Sequence, residues 1–222
     1  CCLGCFVIFI IRSNKISINV DGQAEIVRTK FDSNQKSAAL QVTGNATVNG
    51  CEFTSNKCAI VVSGAAVVTV EKTVFQSSET HIQTQTNGRC KCTDCKFNNA
   101  LGDSAIRVAE MSSIELVKCE VKNNNLIGVA SDSNTCIRES VISNSKKIGV
   151  LCNDGATGEI RGNQISDNGE SAVLCVGGTP KIIENNIANN GKFGIYIASK
   201  KSPSVENNNF SENKLAHIWH SE

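Results

Sequence analysis

The sequence predicts an all-β chain that folds into a right-handed, single-stranded parallel β-helix of about nine to ten rungs, each about 22 residues long. Three observations support this fold. A large apolar residue recurs at a nearly fixed period, further columns of residues keep step with it, and asparagine recurs at the turns. With only 2 prolines among 222 residues, the composition is typical of short strands joined by tight turns.

The anchor column consists of apolar residues spaced 20 to 24 positions apart: Phe31, Phe53, Phe75, Phe97, Val121, Val141, Ile165, Ile187 and Phe210. These anchors mark nine rungs, and Ile11 is a candidate anchor for a tenth. Left-handed β-helices keep a shorter hexapeptide-based period. The longer rungs therefore favour the right-handed form, as does the general handedness of parallel crossovers.

Three companion columns move with the anchors. Five positions earlier stand apolar residues: Ile26, Val48, Val70, Cys92, Leu116, Cys136, Ile160, Ile182 and Val205. Two positions earlier stand turn residues: Thr29, Cys51, Thr73, Cys95, Cys119, Glu139, Asn163, Asn185 and Asn208. Three positions later stand Asn34, Asn56, Ser78, Ala100, Asn124, Asn144, Asn168, Asn190 and Asn213. Since neighbouring parallel strands lie about 4.8 Å apart, equivalent side chains should stack, and the asparagines should form hydrogen-bonded ladders at the bends.

The continuous period predicts one domain over residues 1–222. Residues 1–13 are interpreted either as a first rung or as the end of a preceding N-terminal segment. The apolar run from Leu3 to Ile11 is too short to cross a bilayer as a helix.

The C-terminal third resembles a known repeat family. Its Gly178-Thr179-Pro180-Lys181-Ile182-Ile183-Glu184-Asn185-Asn186-Ile187 segment and the later Gly194-Ile195-Tyr196-Ile197 are similar to the parallel β-helix repeats of NosD-like and carbohydrate-binding or sugar-hydrolase proteins. The match is strongest to the β-helix substrate domain of F-box proteins. The F-x-x-N pattern at Phe31 and Phe53 also resembles repeats of chlamydial-type polymorphic membrane proteins. These resemblances imply the fold far more than a function.

The 12 cysteines first suggest a metal site, above all in Cys90-Lys91-Cys92-Thr93-Asp94-Cys95. Cys90 and Cys92, however, fall in columns otherwise filled by valine, leucine and isoleucine, so we interpret them as buried packing residues. We expect Cys92, Cys95, Cys119 and Cys136 to be buried, unmetallated thiols, with no metal and no cofactor bound. Reduced thiols in this number indicate a cytoplasmic location.

Charge excludes two classes of partner. The 22 lysines and arginines nearly balance the 21 acidic residues, so no overall field would attract nucleic acid or an anionic membrane. The outward positions just before the anchors read Lys30, Glu52, Val74, Lys96, Glu120, Ser140, Gln164, Asn186 and Asn209. They offer no catalytic acid and base pair. Asp154, Asp167 and Glu170 come nearest to one, and the breadth of a rung is expected to keep Asp154 apart from Glu170.

One turn column is mainly basic and supplies the candidate binding residues Lys146, Lys147, Lys192 and Lys214. An acidic partner could use them, or they could form a solvated column that discourages aggregation. The sequence thus favours a non-enzymatic scaffold that binds protein partners along a lateral face, or a structural part of a larger assembly. The alternatives are a carbohydrate-binding or carbohydrate-active, pectate-lyase-like β-helix and a surface adhesin fragment.

Overall fold

The computed structural model describes residues 10–12 and 18–221, and over these residues it confirms the predicted right-handed parallel β-helix. All strands run in three parallel sheets, and every rung contributes in turn to sheet B, sheet C and sheet A. The described residues contain no helix long and apolar enough to span a membrane.

Three lists give the strands. Sheet A contains β1 (Ile10–Arg12), β4 (Lys30–Asp32), β7 (Glu52–Thr54), β10 (Val74–Gln76), β13 (Lys96–Asn98), β16 (Glu120–Lys122), β19 (Val141–Ser143), β22 (Gln164–Ser166), β25 (Asn186–Ala188) and β28 (Asn209–Ser211). Sheet B contains β2 (Ile18–Val20), β5 (Ala38–Val42), β8 (Cys58–Val62), β11 (Thr80–Thr84), β14 (Ser104–Val108), β17 (Ile127–Ser131), β20 (Ile148–Asn153), β23 (Ser171–Val176), β26 (Phe193–Ile197) and β29 (Ala216–His220). Sheet C contains β3 (Gln23–Val27), β6 (Asn45–Asn49), β9 (Val67–Glu71), β12 (Arg89–Thr93), β15 (Ser113–Val117), β18 (Asn134–Arg138), β21 (Thr157–Arg161), β24 (Lys181–Ile183) and β27 (Ser204–Glu206).

The core is a set of in-register columns inside the coil. Phe31, Phe53, Phe75 and Phe97 are fully buried and stack face to face, with successive ring centroids 4.5, 5.1 and 4.7 Å apart. The predicted stacking of these rings is therefore confirmed. The column continues through Val121 and Ile165, which are also fully buried. Since neighbouring rungs supply like residues, each strand packs on a copy of its own pattern.

One rung is out of register with the sequence prediction. Val121 pairs with Ile142 rather than Val141, and Ile142 is fully buried. A shift of one residue exchanges the two faces of a strand. The turn and companion positions of this rung are consequently Ile137, Ser140 and Ser145 in place of Cys136, Glu139 and Asn144.

The tenth rung rests on β1, in which Ile11 pairs in register with Phe31. Of the segment 1–13, residues 1–9 and 13 lie outside the described residues, and so do residues 14–17. The two interpretations of this segment stay predictions.

The bends place left-handed backbone at the residue before each ladder position, as in Ser33 (φ 61°), Ser55 (φ 54°) and Asn189 (φ 57°). This division leaves the ladder side chain free to point inward and accept hydrogen bonds.

Candidate partner-binding surface

Two hydrogen-bonded ladders support the turns on either side of sheet A. In the first, between sheets C and A, a backbone N–H donates to the turn side chain of the next rung. Asn163 N donates to Asn185 Oδ1 at 2.9 Å, Cys119 N to Ser140 Oγ at 3.0 Å, and Thr29 N to Cys51 Sγ at 3.4 Å. Asparagine, serine, threonine and cysteine are thus interchangeable acceptors in this ladder.

The second ladder lies between sheets A and B and positions the predicted lysines. Asn168 N donates to Asn190 Oδ1 at 3.1 Å, and Asn190 N donates to Asn213 Oδ1 at 3.2 Å. The residues that follow this ladder turn outward. All four predicted lysines, Lys146, Lys147, Lys192 and Lys214, are exposed there.

The structure arranges these lysines in two adjacent columns. Backbone hydrogen bonds stack Lys147, Glu170 and Lys192 on successive rungs. Lys146 and Lys214 occupy the neighbouring column, with Gly169 and Gly191 on the rungs between them. The lysines therefore share one edge of the solenoid without forming a tight cluster.

Only part of this positive charge is neutralised. Lys192 pairs with Glu170 at 3.4 Å, whereas Lys146 Nζ donates only to the neutral amide oxygen Oδ1 of Asn125, at 2.9 Å. Lys147 and Lys214 form no ion pair with any residue that the structure describes. Their ammonium groups remain available to an anionic partner.

An aromatic cluster on the outward face of sheet B adjoins this edge, and sequence reasoning missed it. The Phe193 ring lies 5.1 Å from Tyr196 and 6.0 Å from Trp219, centroid to centroid. Trp219 is 51% exposed and Leu215 is 63% exposed. The signal was present in the register, because Tyr196 and Trp219 are paired on adjacent strands.

We call this combined surface the C-terminal face; it consists of Lys146, Lys147, Lys192, Phe193, Tyr196, Lys214, Leu215 and Trp219. Phe193 directly follows Lys192, and Leu215 directly follows Lys214. The basic edge and the apolar cluster are therefore continuous.

The outward face of sheet C is different, because its charges neutralise one another between rungs. Arg138 contacts Glu115 at 3.3 Å and Glu159 at 3.2 Å, and Lys91 contacts Glu115 at 3.1 Å. The predicted alternation on sheet A is likewise paired, with Lys30 and Glu52 2.6 Å apart. The side-chain hydrogen bond from Lys30 lowers the pKa of Glu52.

Two shallow grooves lie in line on sheet C and share Val67. One, of about 630 Å³, is lined by Gln23, Asn45, Thr47, Thr69 and their neighbours, and the other, of about 340 Å³, by Arg89, Lys91, Asn134 and Arg138 among others. Amides, hydroxyls and cations therefore line the axis of the solenoid on this face, together with the carboxylates of Glu25 and Glu115.

The three carboxylates considered as catalytic candidates do not converge. Asp154 follows β20, on the sheet C side of sheet B, whereas Asp167 and Glu170 precede β23, on the sheet A side. Asp154 pairs with Lys201 at 2.5 Å, and this contact lowers its pKa. Sheet B separates the groups, as predicted.

While the absence of bound metal stays a prediction, the predicted burial of the cysteines is confirmed for Cys92, Cys95 and Cys119, which form no disulfide. It is wrong for Cys136, which pairs with Glu115 on the outward face of sheet C and is half-buried. The cause is the one-residue shift of that rung. Among the described residues, no group of three or more His, Cys, Asp or Glu side chains could hold a metal ion.

Comparison of the sequence with models of known protein families identifies the family of this chain. The family model described as "Periplasmic copper-binding protein (NosD)" matches residues 59–217. This chain belongs to the NosD family. The predicted NosD-like repeat is therefore confirmed, and it extends well beyond the C-terminal third. No curated protein matches the NosD-family chain.

Solved structures share the fold at low sequence identity. The periplasmic alginate epimerase AlgG superposes with a TM-score of 0.71 at 13% identity, covering 91% of this chain and 60% of AlgG. PfbA, a surface adhesin of Streptococcus pneumoniae, superposes with a TM-score of 0.57 at 15% identity, covering 90% of this chain and 71% of PfbA. The NosD-family chain thus spans about 60% of the length of AlgG, and these likenesses establish the fold alone.

The prediction of a cytoplasmic location is wrong. The family is described as periplasmic, and the solved neighbours are a periplasmic enzyme and a surface adhesin. We had taken the free thiols to indicate a reducing compartment. Seven of the nine described cysteines are instead buried in the coil, where packing shields them from oxidants whatever the compartment.

Proposed function

We propose that this chain is a non-enzymatic binding module, a β-helix scaffold that docks an acidic protein partner on its C-terminal face. One observation supports this most: an aromatic cluster, in which Trp219 is exposed and Phe193 and Tyr196 are half-buried, is continuous with lysines of which Lys147 and Lys214 have no carboxylate partner. Exposed apolar surface with a polar rim marks protein interaction sites, and tryptophan and tyrosine are frequent anchors there.

The net positive charge of the C-terminal face calls for a partner with an acidic surface. The ion pairs of sheets A and C leave little net charge on those faces, whereas the C-terminal face carries four lysines against Glu170. A partner that presents carboxylates around an apolar side chain would pair with Lys147 and Lys214 while covering Trp219. Such complementarity speeds association and fixes orientation more than it raises affinity.

The chain carries its own reporter for this proposal, because Trp219 is its single tryptophan. We expect a short synthetic peptide of alternating glutamate and leucine residues to shift Trp219 emission to shorter wavelength as the ring leaves water. Reversing Lys147 or Lys214 to glutamate should weaken that binding roughly tenfold and reduce its salt dependence.

Lys181→Glu is the matched control, since Lys181 is an exposed lysine on sheet C. It should bind the peptide as the wild type does. Equal weakening by Lys181→Glu, or no effect of the Lys147 and Lys214 reversals, would contradict the proposed surface.

The sheet C grooves favour a second candidate function, the binding of an extended polysaccharide. Amide, hydroxyl and guanidinium groups along one axis are suited to a chain of sugar hydroxyls and carboxylates. The fold likeness to an alginate epimerase makes alginate the natural probe.

Electrophoresis through gels with and without alginate tests this candidate. Retardation of the wild type should be lost in the double variant Arg89→Ala, Thr69→Ala and kept in Lys192→Glu. Mobility that alginate does not change would remove the candidate.

A further inference from the structure

The family's name refers to copper binding, so we ask whether the positions of the cysteines and histidines in this chain could form a copper site. Copper(I) prefers thiolate sulfur, and a site requires donors that converge on one point. The described residues supply nine cysteines and three histidines. Their positions follow from the columns of the coil.

Three of the sulfurs belong to the first ladder. Cys51 Sγ accepts from Thr29 N at 3.4 Å and donates to the carbonyl oxygen of Ile26 at 3.4 Å. Cys95 and Cys119 donate in the same way to carbonyl oxygens one rung back. These thiols already make the hydrogen bonds that asparagine makes in later rungs, such as Asn185 to the carbonyl oxygen of Ile160.

Four more cysteines pack in the core. Cys90 pairs in register with Val68 and Cys92 with Val70, so both occupy valine positions inside sheet C. Cys152 and Cys175 pair with each other inside sheet B. Burial, together with hydrogen bonds from Cys90 and Cys95, raises the pKa of Cys92 well above its ordinary value. Hydrogen bonds from Cys119 and Cys92 lower the pKa of Cys95, and the hydrogen bond with Cys95 raises the pKa of Cys119. The thiolate form that copper requires is therefore opposed at Cys92 and Cys119 and favoured only at Cys95 among these three.

The remaining donors are dispersed. Cys136 lies on the outward face of sheet C and Cys58 at the start of a sheet B strand, so they cannot share an ion. His81 is fully buried, and His217 and His220 lie in the last strand, β29. Cys90 and Cys92 lie 3.7 Å apart between sulfurs, and Cys95 adjoins Cys92. All three are enclosed in the packed coil at 5% exposure or less, and no group of three or more described donors could hold a metal ion.

We infer that residues 18–221 bind no copper through their cysteines, which serve as ladder and packing groups instead. This inference departs from the copper binding that the family's name states, and it is independent of the proposed docking function.

A competition experiment tests it. Reduced protein is mixed anaerobically with copper(I) bound to bathocuproine disulfonate, and the absorbance of the chelate reports any transfer. Cys1, Cys2 and Cys5 lie outside the described residues, so the triple variant with serine at these positions is used beside the wild type. The native variant should leave all copper on the chelator, and the same variant in guanidinium should remove it.

Retention of one or more copper ions by the native triple variant, abolished by adding Cys92→Val, would overturn the inference. Copper held by the wild type but not by the variant would locate binding at the three N-terminal cysteines and support it.

Thiol titration of the wild type gives a second measurement that does not depend on the variant folding. Since seven described cysteines are buried, at most five of the 12 thiols should react with a thiol reagent before unfolding. Rapid reaction of more than five would show that the core thiols are accessible and would contradict the inference.

Discussion

His81 shows how strongly a single position can be set by its column. Its neighbours in register are Ala59 and Ala105, and its ring is fully buried with centroids 5.9 Å from Phe75 and 6.1 Å from Phe97. Nε2–H donates to the carbonyl oxygen of Asn98 at 3.1 Å, while Nδ1 has no partner. Burial lowers the pKa of His81 to about 3, so the folded chain keeps a neutral imidazole.

This neutral histidine predicts acid sensitivity in a defined window. Below pH 6.5 the unfolded chain protonates His81, whereas the folded chain does so only near pH 3. The free energy of unfolding should therefore fall as pH decreases from 6.5 towards 3, by up to about 5 kcal/mol from this residue. Denaturant titrations of wild type and His81→Ala at a series of pH values measure it.

The His81→Ala variant keeps every carboxylate, so titration of those groups affects both proteins alike. Its stability should carry a constant cavity cost but a weaker dependence on pH. Parallel curves for the two proteins between pH 6.5 and 4 would contradict the assignment.

At the scale of an element, the second ladder is interrupted at Ala100, which has no polar side chain, and again at Ser145. The Nδ2 of Asn124 and the Oγ of Ser145 are buried without a hydrogen-bond partner. In the intact part of the ladder, Asn168 Nδ2 donates to Asn190 Oδ1 at 3.1 Å. Serine is too short to reproduce that contact, so the stack is interrupted between the rungs of Asn124 and Ser145.

Ser145→Asn should repair the ladder and raise the free energy of unfolding by about 1 kcal/mol. Asn168 shows that an asparagine fits at this ladder position when a glycine lies beside it, since a Cβ added to Gly149 would lie only 3.0 Å from Asn168 Nδ2. Ser145 has the same arrangement, because Gly128 lies beside it and a Cβ added there would lie 3.3 Å from Ser145 Oγ. The midpoint of chemical denaturation measures the change.

Asn144→Ser provides the comparison at the exposed neighbouring position, where the sequence alone had placed the ladder residue. It should leave the midpoint nearly unchanged. A Ser145→Asn protein less stable than wild type would show that the ladder is not limited by this contact.

The period identified nearly all rungs because each column repeats the same chemistry on neighbouring strands. It could not decide between Val141 and Ile142, because adjacent apolar residues satisfy a period of about 22 equally well and only packing distinguishes them. The lysines were found for the same reason, as a repeated turn column. The aromatic cluster was not, since Phe193 and Trp219 stand in different outward columns and meet only through the length of their side chains.

At the scale of the whole molecule, the lateral faces differ in whether their charged side chains are paired with groups of opposite charge. Sheets A and C carry ion pairs between successive rungs, such as Lys30 with Glu52 and Arg161 with Glu184. Exposed ion pairs of this kind contribute little to the free energy of unfolding, but they leave those two faces with little net charge. The C-terminal face keeps uncompensated lysines beside the exposed Trp219 ring. Under the proposed docking function, this contrast within a nearly neutral chain would direct an acidic partner there.

The ladders also bear on how such a chain can change in evolution. In the sheets and ladders each rung pairs only with the rungs on either side, and Asn, Ser, Thr and Cys serve alike as ladder acceptors. Duplicating or losing one whole rung would rejoin matching columns and leave both ladders continuous. Insertion of a single residue within a strand would exchange its inner and outer faces. The length of such a chain can therefore vary by whole rungs, whereas the pattern of inward and outward residues within each rung is constrained.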